Sequence, residues 1–82
     1  MRTTAYFRDV VLPKRPYVTL ELCRRILAAP PARRVQPDSR VRYWGRMPDE
    51  PAKFLRVVTL PDGETVHNAF RDRRFRLPGD GH

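Results

Sequence analysis

Phe54-Leu55-Arg56-Val57-Val58-Thr59-Leu60, the turn Pro61-Asp62-Gly63, and Glu64-Thr65-Val66-His67-Asn68-Ala69-Phe70-Arg71 decide the fold. Both long runs are rich in β-branched and aromatic residues, and both end at breakers. An Asp-Gly turn joins them, so they read as a β-hairpin rather than a helix. Just upstream, Arg40-Val41-Arg42-Tyr43-Trp44-Gly45-Arg46-Met47 has the same character and is set off from Lys53 by the proline-rich turn Pro48 to Ala52. The stretch from Arg40 to Phe75 is therefore expected to form three consecutive antiparallel strands with arginines on their pleats.

With those two turns as loops, period-two alternation predicts a register. Trp44 faces Arg56 and Tyr43 faces Val57 across the first hairpin. Arg56 faces Asn68 and Val57 faces His67 across the second. One face then carries Val41, Tyr43, Met47, Leu55, Val57, Thr65, His67 and Ala69. It is mostly apolar and is the face on which a helix packs. The other carries Arg40, Arg42, Trp44, Arg46, Phe54, Arg56, Val58, Val66, Asn68 and Phe70, aromatics mixed with a row of arginines.

The helix to cover the first face runs from about Leu20 to Ala28. Thr19 is its N-cap and Glu21 lies in the first turn, where negative charge suits the helix dipole. Leu22, Cys23, Ile26 and Leu27 share one side while Glu21, Arg24 and Arg25 point away, and Pro30-Pro31 ends it. Met1 to Pro16 is the least readable segment. Tyr6 to Leu12 suits a short edge strand or a turn of helix, and Pro13 and Pro16 argue against a continuous element. Pro31 to Ser39 reads as a connector with a solvated Arg33-Arg34 pair, its Pro37-Asp38-Ser39 turn leading into the sheet. Residues 77–82 read as a flexible tail. The expected fold class is α+β: a single domain over residues 1–76, with one main helix on a three- to four-stranded antiparallel sheet.

A chain of 82 residues is one domain with a modest core. Its formal net charge is +8, from 17 basic residues against 9 acidic ones. That surplus favours a polyanion such as nucleic acid, or an acidic protein that masks the charge. All the basic residues except Lys14 and Lys53 are arginine, the better residue for bidentate phosphate contacts and for stacking on bases. Cys23 is the only cysteine, and His67 and His82 are far apart, so neither an intrachain disulfide nor a zinc site is expected, and no cofactor is called for. No apolar run is long enough for a signal peptide or a membrane span, which makes the cytoplasm the expected compartment.

Arg56 is the residue of most interest. A charge in the middle of an apolar central strand loses hydration and needs a partner or a ligand. It either makes a cation–π contact with Trp44 or grips a phosphate. Arg40, Arg42 and Arg46 suit backbone phosphates, or else solubilise a sheet edge. Trp44 and Tyr43 suit base stacking, or core packing. His67 is the one histidine outside the tail, either a general acid or base or a hydrogen-bonded core residue. Arg71, Arg73, Arg74 and Arg76 form a basic run around Phe75, either solvated or bordering the arginine-rich face.

The order of these pieces resembles the small RelE-like toxin superfamily, especially its BrnT-like branches and related short domains. The pieces are a helix ending Ala28-Ala29-Pro30, then Arg40-Val41-Arg42-Tyr43-Trp44-Gly45, Phe54-Leu55-Arg56-Val57-Val58, and Val66-His67-Asn68-Ala69-Phe70-Arg71, over about residues 17 to 76. The resemblance implies a helix-on-sheet toxin of a toxin–antitoxin pair. Such a protein is a metal-independent endoribonuclease that cuts mRNA, often on the ribosome, and is neutralised by an acidic antitoxin. By position it implies Arg56 at the scissile phosphate, Arg71 as the arginine closing the last strand, and His67 as acid or base. Phe75 stands where many such enzymes have a proton-transferring Tyr or His. The sequence equally admits a noncatalytic nucleic-acid-binding module, or a protein-interaction domain of the same fold.

Overall fold

A computed structural model describes residues 1–77. The flexible-tail reading of 77–82 thus lies, Leu77 apart, outside the described residues. The chain is α+β as expected, but richer than one helix on an antiparallel sheet. It runs β1 (Arg2–Thr3), a π-helical stretch Phe7–Val11 passing directly into α1 (Leu12–Lys14), α2 (Leu20–Ala28), β2 (Ala32–Val35), β3 (Val41–Arg46), β4 (Phe54–Thr59) and β5 (Thr65–Arg71). The five strands form one sheet in the order β1-β5-β4-β3-β2. β1 runs parallel to β5 and every other pairing is antiparallel, so the sheet is mixed.

Of the two readings of the N-terminal segment the helical one holds, and Pro13 does not break it; the helical path ends at Lys14, ahead of Pro16. Thr4 caps it, its hydroxyl accepting from the Phe7 N–H at 3.1 Å. Pro13 has no N–H to give, and its ring crowds the carbonyl four residues back. The wider π turn ahead of it relieves that crowding and lets the helical path continue to Lys14. Phe7 and Val11 are thereby driven into the core. α2 behaves as its sequence dictates, with the Thr19 side chain accepting from the Leu22 N–H at 3.0 Å. Its Leu22, Cys23 and Ile26 are buried. Burial pushes the Cys23 thiol up to about 12, so it packs as a small hydrophobe.

β2 is a second correction, because the presumed connector is an edge strand. The turn after it is tight: Gln36 N–H donates to Arg40 O at 2.7 Å, and Ser39 takes a positive φ of 73°. The Asp38 carboxylate fixes it by accepting from the Arg40 N–H. That geometry folds residues 32–35 back along β3 instead of leading them away.

The first long hairpin has the expected register, with Trp44 opposite Arg56 and Tyr43 opposite Val57. The second does not. Arg56 lies opposite Phe70, and Val57 opposite Ala69. Two one-residue slips cause this. Leu60 N–H donates to Thr65 O, so the loop holds residues 61–64 rather than 61–63. Then Val58 pairs with Asn68 and Thr59 with Val66, which leaves His67 as the extra residue of a bulge. Each slip inverts the faces and the two cancel, so Asn68, Ala69 and Phe70 keep their expected sides. Between loop and bulge the inversion stands, and Val66 is fully buried in the helix-side core rather than on the arginine-rich face.

Gly45 sets the spacing between sheet and helix. A Cβ there would lie 2.5 Å from Ile26 Cγ1 and 2.9 Å from its Cδ1. Gly45→Ala should therefore lower stability by about 1–3 kcal/mol in denaturant titration, the usual cost of overpacking. Most of that loss should vanish in an Ile26→Ala background, where the clashing atoms are gone.

Candidate nucleic-acid interface

The sheet face opposite the helices is built from alternate residues of β3, β4 and β5. Trp44, Phe54 and Val58 lie on it and are 5%, 2% and 7% exposed, closer to a core than to an open surface. What covers them is the chain leaving β5. Asp72 N–H donates to Phe54 O, adding one more rung to the ladder. Phe75 then lies flat on Trp44, with ring centroids 4.5 Å apart and planes 9° apart, and edge-on to Phe54 at 5.0 Å.

Arg56 sits in this layer and has a carboxylate of its own. Asp72 Oδ2 accepts from Arg56 Nε at 3.0 Å, from Arg56 Nη2 at 2.7 Å and from Trp44 Nε1 at 2.9 Å. The guanidinium also lies 5.7 Å from the Trp44 ring centroid and 4.8 Å from that of Phe70. The expected contact with Trp44 is present, then, and an acid absent from the sequence reading joins it. Burial pushes the Asp72 carboxyl upward. The hydrogen bonds from Trp44 and Arg56, with the Arg56 charge, outweigh burial and hold it below its ordinary value.

Arg71 is on the other face. It pairs with Leu55, a fully buried residue of the helix-side core. Its guanidinium lies 4.5 Å from the Tyr17 ring centroid, and Nη2 is 3.5 Å from Glu50. His67, thrown out by the bulge, bonds through Nδ1 to Thr4 Oγ1 at 3.0 Å and stacks on the half-exposed Tyr6 ring at 5.1 Å. Burial, and secondarily the Arg40 charge, lower its pKa, so the ring is neutral at pH 7. The structure does not gather Arg56, His67 and Arg71 around one point. Arg56 and Arg71 lie on opposite sides of the sheet, and His67 sits in the bulge beside the N-terminal segment.

The residues expected to bind nucleic acid divide. Trp44 lies beneath Phe75, so stacking a base on it requires Phe75 to move. Arg46 donates to Pro51 O at 2.8 Å and covers the Phe54 ring at 4.8 Å. Arg73 is exposed in the turn after β5. Arg40 and Arg42 lie at the β2–β3 end of the sheet. Arg42 pairs directly with Arg34 of β2, two cations side by side on one face of an edge. Like charges so placed repel. Near them, Asp38 approaches Arg40 Nε at 3.9 Å, and Gln36 Oε1 accepts from Arg42 Nε at 2.7 Å.

Three participants escaped the sequence reading. Arg34 falls in the stretch that reads as a connector. Asp72 had one visible signal, as the acid interrupting Arg71-Asp72-Arg73-Arg74. Arg15 had none, and it reaches across 53 residues to donate to Asn68 Oδ1 at 3.0 Å. Among the described residues no three His, Cys, Asp or Glu side chains gather as metal ligands, and no helix is long and apolar enough to cross a membrane. No protein-family model, curated protein or solved structure matches the chain. The resemblance to RelE-like toxins rests on the residue pattern alone.

Asp72→Asn should destabilise the fold by about 2–3 kcal/mol. That is less than the cost of breaking a fully buried pair, because the Arg56 side chain keeps 23% exposure. The carboxyl is held below its ordinary value, so its contribution is complete above about pH 4. It fades as pH falls through the lowered folded value. Denaturant titrations should show the wild-type and Asp72→Asn stabilities far apart at pH 6 and converging in acid. A gap constant with pH would contradict this assignment.

Proposed function

We propose that the protein is a noncatalytic nucleic-acid-binding module that takes the phosphate backbone of RNA along the β2–β3 edge. The observation that carries this reading is the direct pairing of Arg34 with Arg42, flanked by Arg40. Two arginines directly opposite each other on a strand pair repel, and an anion lying across them relieves that repulsion. The net charge of +8 gives the same preference over a longer range. Neutralisation of Arg56 by Asp72 and the burial of Trp44 favour backbone contacts over base reading. They also favour binding over cleavage, because metal-free cleavage needs a base, a proton donor and a cation around one phosphate.

Fluorescence anisotropy with a labelled single-stranded RNA should show affinity falling steeply with salt. The combined substitution Arg34→Ala/Arg42→Ala should flatten the log–log slope by roughly 1.4, at about 0.7 per phosphate contact on a single strand. The RNA should be recovered intact. An unchanged slope in the double variant would remove the edge from the interface.

One observation favours a second reading, the metal-independent endoribonuclease of a toxin–antitoxin pair. A neutral His67 whose Nδ1 donates to Thr4 would keep a lone pair on Nε2 for general-base work. On that reading the chain alone arrests growth and cuts RNA, and His67→Ala abolishes both effects. RNA left whole by the wild-type chain, with no arrest, excludes it.

A further inference from the structure

The β3–β4 loop and the turn after β5 enclose a crevice of about 480 Å³ at the end of the sheet away from the Gln36–Arg40 turn. Lys53, Arg71, Arg73 and Arg76 line it together with Phe54 and Phe75. Its one acidic lining residue, Asp72, already bonds to Arg56 and Trp44 through Oδ2. Glu50, just outside, is shared between Lys53 at 3.0 Å and Arg71 at 3.5 Å. Arg76 turns its guanidinium onto the carbonyls of Arg73 and Phe75 rather than onto an acid. Arg71 Nε is buried with no acceptor. The crevice therefore holds more positive charge than its surroundings satisfy, beside a half-buried phenyl ring.

We infer that this crevice is a nucleotide site, taking a phosphate monoester among Lys53, Arg73 and Arg76 and a planar base against Phe75. Its volume falls within the range of small-molecule pockets. The guanidinium groups suit a dianionic phosphate, which accepts charge-assisted hydrogen bonds. An aromatic wall beside cations is the arrangement that holds a base without reading its identity. The inference rests on the proposed nucleic-acid reading for the class of ligand, but not on the β2–β3 edge. The nucleotide is either free or the 5′-phosphorylated end of a strand, and the chemistry recognised is the same.

The test is an amide-detected NMR titration of the full chain with adenosine 5′-monophosphate, with adenosine and inorganic phosphate as comparators. Saturable shifts should fall on residues 52–54 and 71–76, and each comparator should bind at least roughly tenfold more weakly. Arg73→Ala/Arg76→Ala should weaken the nucleotide roughly tenfold, its undisturbed remaining spectrum reporting an intact fold. Arg34→Ala/Arg42→Ala should leave nucleotide binding unchanged while weakening a long strand, which separates failure of the crevice from failure of the edge. A 5′-phosphorylated oligonucleotide that displaces the nucleotide better than its 5′-hydroxyl form assigns the site to strand ends. Equal displacement assigns it to the free nucleotide. The inference is overturned by shifts confined to other residues, by inorganic phosphate binding as tightly as the nucleotide, or by full affinity in Arg73→Ala/Arg76→Ala.

Discussion

The carboxylate of Asp72 determines what the second face of the sheet is. Arg56 lies on a central strand among Trp44, Phe54, Val58 and Phe70, where an unpaired cation would be severely penalised. The Asp72–Phe54 backbone bond extends the β4–β5 ladder by one rung and brings the carboxylate to the guanidinium. The same oxygen takes the Trp44 indole N–H, which fixes the ring on which Phe75 stacks. Ladder, ion pair and ring stack thus follow from one another. Four residues beyond β5 turn an exposed sheet face into a second, smaller apolar layer.

That dependence separates what could be read in the sequence from what could not. β3, β4, β5 and α2 were legible because their signals are local: β-branched and aromatic runs between breakers, and the Thr19 cap ahead of an apolar stripe. The first long hairpin was legible to the residue because its loop is bounded by Pro48 and Lys53. In the second, Val66-His67 holds an extra residue that composition does not mark, and only pairing with Val58 and Thr59 reveals it. The continuation of the N-terminal helical stretch to Lys14 was hidden because Pro13 normally ends such a run, and a π turn is invisible to a 3.6-residue period. β2 was hidden because a short edge strand carrying two arginines looks like a solvated loop. Of the candidate site, the need of Arg56 for a partner was legible. Its satisfaction by Asp72 was not, since Asp72 lies just beyond β5 and reaches Arg56 only through the corrected register.

Neutralising the central arginine moves the electrostatic emphasis to the periphery. With Arg56 paired to Asp72, the cations facing each other without an acid between them are Arg34 and Arg42 at one edge. The crevice between the β3–β4 loop and the post-β5 turn holds the second concentration. The helix-side surface differs, because there Glu21 sits 3.2 Å from Arg24. Exposed pairs of that kind contribute little to stability, but they do lower the local field.

The two basic regions are connected through β3. That strand leaves the Gln36–Arg40 turn beside Arg42 and ends at Arg46, opposite Phe54 of the crevice wall. Four residues of strand rise separate Arg42 from Arg46, roughly 13 Å. Both side chains are on the face away from the helices, and Arg46 covers the Phe54 ring. On the proposed reading, a short single strand would lie along β3, with its backbone between the Arg34–Arg42 pair and its terminal nucleotide in the crevice. Edge and crevice would then act as two contacts of one ligand, with β3 setting the distance between them. β3 is hydrogen-bonded on both sides, to β2 and to β4, and at Gly45 it lies close against Ile26.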